Sequence, residues 1–165
     1  MVEALKIGTV SVLPGEMKRG AIEAGADMAG RPYAMPITVV RGVEDGPCLW
    51  INGATHGDEP EGAFSIFLAL KQIDPQQLRG TVVAVPAMNV NAFTAGTRGD
   101  PLDTFSYDMN RIYPGKPDGY PTERIAHAHW LAMKETGDLQ IAVHSGGEHS
   151  YLAHMIFASD NPVSL

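Results

Sequence analysis

A chain of 165 residues has room for one domain with a dry core and too little for two. Hydrophobic residues make up 44% and charged residues 19%, a balance that excludes an intrinsically disordered chain. The formal charge of −7 and the pI near 5.2 argue against nucleic acid and anionic membrane as partners, because an acidic surface is drawn to neither.

The single cysteine, Cys48, leaves no intramolecular disulfide. Its setting, Pro47-Cys-Leu-Trp-Ile51, reads as a buried small hydrophobe. The first ten residues lack a basic region followed by a long apolar stretch, and no apolar run is long enough to span a bilayer. A cytoplasmic protein is the default expectation.

In chain order, residues 5–12 are expected as a strand, within an N-terminal β extension over residues 1–36 that belongs to the same domain. Residues 37–165 are expected to form the α/β domain proper. Pro36-Ile-Thr-Val-Val-Arg41, a turn over residues 42–46 and Cys48-Leu-Trp-Ile-Asn52 read as strand, turn, strand. Pro60 follows an acid suited to capping, and Ala63-Phe-Ser-Ile-Phe-Leu-Ala-Leu70 continues as a helix buried on at least one face. Gly80-Thr-Val-Val-Ala-Val-Pro86 reads as a strand buried on both faces.

Residues 89–119 are rich in Gly, Pro, Asp and Asn without a clear period and are expected as a long functional loop. Residues 122–134 are helical in composition, Leu139-Gln-Ile-Ala-Val-His144 reads as another buried strand, and residues 151–158 as one more. The alternation predicts an α/β fold with a mainly parallel central sheet flanked by helices. Sites in such sheets form beyond the carboxyl ends of the strands. His56 to Glu59, Asn89 to Asn91 and His144 all fall at such ends.

The sharpest chemical feature is Gly53-Ala-Thr-His-Gly-Asp-Glu-Pro60. His56 and Glu59, three apart across a strand-to-helix turn, can point the same way, and His144 is expected beside them. Two imidazoles and a carboxylate are a known catalytic zinc set, with a fourth position open for water. The spacing alone also fits Asp58, Glu59 and Glu61 as acids favoured at a helix N-terminus.

A second feature is the loop carrying Arg98 and Asp108-Met-Asn-Arg111. Its guanidinium groups can hold a carboxylate or polarise a carbonyl, or Arg111 can pair with Asp108 simply to order the loop. His127 and His129, two apart on a helix, are poor co-ligands. His149 can replace His144 if the strand ends early, and packing or surface roles suit His127, His129, His149 and His154.

Together, His56-Gly-Asp-Glu59, Pro86-Ala-Met-Asn-Val-Asn91, Arg98, Asp108-Met-Asn-Arg111 and His144-Ser-Gly-Gly resemble the succinylglutamate desuccinylase/aspartoacylase family of zinc carboxypeptidase-like hydrolases. The resemblance runs over residues 36–159. It implies one zinc ion held by His56, Glu59 and His144. Arg98 would polarise the scissile carbonyl, Asn110 and Arg111 would grip the carboxylate of a small N-acyl amino acid, and Asp108 would support them. The implied reaction is deacylation: metal-activated water cleaves the amide into a carboxylic acid and an amine.

Two departures stand out. The family usually has an acid two residues before the third histidine, where this chain has Ala142, which removes a partner for that ligand. Family members are also roughly twice as long, so the domain is expected to be incomplete at its C-terminus, with the general base beyond Leu165. Neither Glu61 nor Glu148 inherits that role. A zinc carboxypeptidase acting on peptides and a non-catalytic zinc-stabilised domain, with His149 or Asp58 as fourth ligand, are the competing readings. The pattern leaves room for a homo-oligomer.

Overall fold

The computed structural model describes residues 3–105, 107–152 and 155–159, and the His149 side chain lies outside the description. The chain opens with β1 (Leu5–Ile7) and β2 (Val10–Val12), an antiparallel pair in which Leu5 faces Val12. The single strand expected over residues 5–12 is thus a hairpin.

Five further strands form one mixed sheet: β3 (Glu16–Ala26), β4 (Pro32–Arg41), β5 (Glu44–Asn52), β6 (Arg79–Val85) and β7 (Leu139–Ala142), in the order β3-β4-β6-β5-β7. The α/β class holds. The sheet is parallel across β6-β5-β7 and antiparallel across β3-β4-β6. It is therefore less parallel overall than the alternation of elements suggests, and parallel where the site forms.

The expected strand, turn, strand over residues 36–52 is present, but β4 and β5 do not pair: β6 lies between them. The chain crosses beneath β6 through Gly42, whose N–H donates to Gly80 O at 2.8 Å. Gly80 holds φ +90°, and a Cβ there would lie 2.2 Å from Pro47 O, so only glycine permits the crossing.

Side-chain alternation along the strands divides the core. Met35, Ile37, Val39, Trp50, Val83 and Val85 pack in one buried cluster with Ile125 and Ala126 of helix α3 (Pro121–Thr136). Helix α1 (Glu61–Leu70) packs on β5 and β6 through Gly62, Ala63 and Ile66, while Phe64, Phe67 and Leu68 stay exposed.

Three expectations change. The stretch 89–119 is not structureless, since it contains α2 (Val90–Ala95) and a 3₁₀ turn at Met109–Arg111. β7 is exposed at all four residues, because among the described residues it is the last strand of the sheet rather than an inner one. The described residues of the segment 151–158 form no strand, and Ala153 and His154 lie outside the described residues. No described helix is long and apolar enough to cross a membrane.

Candidate metal centre

The three parallel strands end on one edge, and the candidate residues follow their ends. After β5, Gly53 N–H donates to Val85 O at 3.0 Å, tying the turn to β6. Ala54 is wholly buried at φ +44°, a left-handed conformation that costs a non-glycine residue about 1 kcal/mol or more. Gly57 lies against α2, where a Cβ would sit 2.0 Å from the Ala92 backbone. This tight turn brings His56 and Glu59 together beneath the surface, at 3% and 4% exposure.

Glu59 is the hub. Its Oε1 lies 2.9 Å from His56 Nδ1 and its Oε2 lies 2.7 Å from His144 Nδ1, with the His144 side chain 29% exposed. Ser145 N–H donates to the same Oε2 at 3.0 Å. One ligand atom from each of His56, Glu59 and His144 can be chosen so that all lie within 4.8 Å of one another. Burial pushes the Glu59 carboxyl up, but the Ser145, His144 and His56 hydrogen bonds outweigh it and hold the group below its ordinary value.

Asp108 forms the next layer. Its Oδ1 lies 3.1 Å from His56 Nε2, and its Oδ2 accepts from Arg98 Nε at 3.2 Å and Nη2 at 2.9 Å. Burial opposes the charge, yet the bonds from His56 and Arg98 hold the carboxyl down at about 2. Arg98 also approaches Glu59, Nη1 to Oε1 at 3.6 Å, with 41% of its side chain exposed. Asn110 Nδ2 lies 3.3 Å from His144 Nε2. Arg111 is exposed beside them and makes no side-chain hydrogen bond or ion pair among the described residues.

Five of the six residues singled out for the site therefore meet in one cluster, and Arg111 follows Asn110 on the same 3₁₀ turn. Several side expectations are corrected. Glu59 does not cap α1, whose N-cap is Pro60 with no side-chain bond; the carboxylate turns to the histidines instead. Arg111 does not pair with Asp108, which is occupied by His56 and Arg98. Asp58 stands outside the ligand cluster and abuts Gly147, where a Cβ would meet its Oδ2 at 2.4 Å. Asn89 caps α2, accepting from Ala92 N–H at 3.2 Å, and Asn91 donates to Asp100 at 2.7 Å. His129 is fully buried against Trp50, with Tyr113 Oη 3.0 Å from its Nδ1.

The donor set fits a zinc ion. Two imidazoles present the same nitrogen, Nδ1, to one nearly buried carboxylate. Such a carboxylate persists in the interior only when paired or ligating. The sequence reading missed the Ser145 N–H and the Asn110–His144 contact, neither of which has a local signature.

Residues 45–164 match the succinylglutamate desuccinylase/aspartoacylase catalytic domain. Over 113 residues the chain is 38% identical to an N-alpha-acetyl-L-2,4-diaminobutyric acid deacetylase from Halomonas elongata, covering 68% of this chain and 32% of that protein. It is similar in structure to a succinylglutamate desuccinylase from a Silicibacter species, with 28% identity and a TM-score of 0.74, covering 87% of this chain and 45% of that one. A product-bound ectoine utilization protein from Ruegeria pomeroyi gives 31% identity and a TM-score of 0.71, covering 81% and 42%. The chain spans about a third of the first relative's length and under half of the other two. On the match over residues 45–164, this chain belongs to the succinylglutamate desuccinylase/aspartoacylase family.

Proposed function

We propose that the chain carries the zinc-binding part of a deacylase that cleaves the amide bond of a small N-acyl amino acid. The observation that carries this reading is the pair of imidazole Nδ1 atoms, 2.9 and 2.7 Å from the two oxygens of Glu59, at the carboxyl edge of three parallel strands. His56, Glu59 and His144 would hold one zinc ion. Bound there, zinc supplies Lewis acidity and lowers the pKa of a water toward neutrality.

The other residues bind and orient. Asp108 takes two N–H groups of Arg98 and so fixes the guanidinium beside the ligands, from where it can donate to the carbonyl oxygen as negative charge builds on it. Arg111, with Asn110, would receive the substrate carboxylate. Its lack of a side-chain partner among the described residues supports that role, because a free guanidinium fork matches a carboxylate. Asp58, one of the two candidates for a fourth ligand, stands outside the cluster of His56, Glu59 and His144, which supports an open fourth position over a purely structural site. The name of the Halomonas relative supports an N-acetylated amino acid as substrate.

The test is calorimetric titration of the zinc-loaded chain with a panel of N-acetyl amino acids and with the free amino acids. Binding of the acylated forms that falls at least ~10-fold in Arg111→Ala would support the reading. Equal binding by the parent and Arg111→Ala, or none by either, would contradict it.

A further inference from the structure

Each imidazole in the cluster has a second nitrogen, turned away from Glu59, and whatever bonds to it fixes the ring's angle and tautomer. For His56 that partner is Asp108, 3.1 Å from Nε2. For His144 it is Asn110, whose amide Nδ2 lies 3.3 Å from Nε2. Both partners belong to one short turn: Asp108 Oδ1 also accepts from Asn110 N–H at 3.0 Å. Met109 between them is wholly buried in the main core, which anchors the turn.

An amide suits this place for a chemical reason. In the arrangement seen, His144 Nδ1–H donates to Glu59, and the bare Nε2 accepts from Asn110 Nδ2–H. An imidazole that ligates through Nδ1 carries its one proton on Nε2 instead, so that atom becomes a donor. Half a turn of the amide then presents Oδ1 as acceptor. A carboxylate could serve only the second state; asparagine serves both and leaves Nδ2 free for a substrate carboxylate.

We infer that Asn110 is the positioning residue for His144, bonding its Nε2 through Nδ2 without metal and through Oδ1 with zinc, and that it thereby sets the site's zinc affinity. The inference rests on the reading of His56, Glu59 and His144 as ligands. Ala142 supplies no side-chain acceptor two residues before His144, so the partner comes from the facing turn.

The test is zinc affinity by chelator competition for the intact chain, Asn110→Ala and Asn110→Asp, with the visible spectrum of the cobalt-substituted proteins alongside. Asn110 is exposed, so the metal-free variants should melt at the wild-type temperature. Asn110→Ala should bind zinc ~10–100-fold more weakly and shift the cobalt bands, while Asn110→Asp should restore both. Equal affinity of Asn110→Ala and the intact chain, or loss that Asn110→Asp fails to restore, would overturn Asn110's role while leaving the ligand set standing. Failure of the intact chain itself to bind zinc would overturn both.

Discussion

Asp108 Oδ1 lies 3.1 Å from His56 Nε2, on the side of the ring turned away from Glu59. The same carboxylate accepts two N–H groups of Arg98 through its other oxygen. One side chain thus orients a ligand and a candidate substrate-polarising cation. Asparagine in its place has one acceptor oxygen and cannot serve both. Asp108→Asn is expected to weaken zinc binding by ~10-fold or more, read by chelator competition, with no loss of secondary structure by circular dichroism.

Gly57 lies where a Cβ would sit 2.0 Å from the Ala92 backbone. Backbone cannot swing aside as a side chain can, so Gly57→Ala must displace either α2 or the turn that carries His56. The expected cost is about 2 kcal/mol or more by urea denaturation, accompanied by weaker zinc binding. A variant as stable as the parent would show that the turn and α2 are not in contact in solution.

His129 gives the fold a pH dependence that is independent of the candidate metal. Burial pushes its imidazole down from the ordinary 6.5 to about 4. Between those values the unfolded chain binds a proton there and the folded chain does not, so stability falls as pH drops through that window. The contribution amounts to about 3 kcal/mol by pH 4. His129→Phe keeps a ring against Trp50 and should lose this part of the slope, measured by denaturation at a series of pH values from 7 to 4. An unchanged slope would mean that His129 is not buried.

Ile141 projects from β7, the last strand of the sheet among the described residues, and is 49% exposed. An unpaired strand edge with apolar side chains invites association, and lysine at an edge suppresses it. Ile141→Lys should reduce concentration-dependent association in sedimentation runs without lowering the melting temperature.

The strands were legible where β-branched residues run together, as in Thr38-Val-Val and Thr81-Val-Val, because such runs suit a pleated surface. Their order was not. The β4–β5 connection looks like a tight turn between partners, and only the glycines at 42 and 80 hint that the chain passes under β6. α2 was hidden in a polar stretch, although its Asn89 cap and the left-handed Gly96 that ends it are readable signals. β7 was read as buried because composition reports apolarity, while burial depends on how many neighbours a strand acquires.

The site divides the same way. His56 and Glu59 lie three residues apart on one turn, so their convergence is local, and His144 follows from the parallel strands. The bond between Asn110 and His144 joins positions 34 apart, through a loop whose path no local pattern specifies.

His56, Glu59 and His144 would together hold one zinc ion. Elemental analysis of the purified chain after zinc repletion, beside His56→Ala and His144→Ala, tests this most directly. About one zinc ion per chain is expected in the parent and little or none in either variant. A parent chain that retains no zinc, or variants that retain as much as the parent, would contradict it.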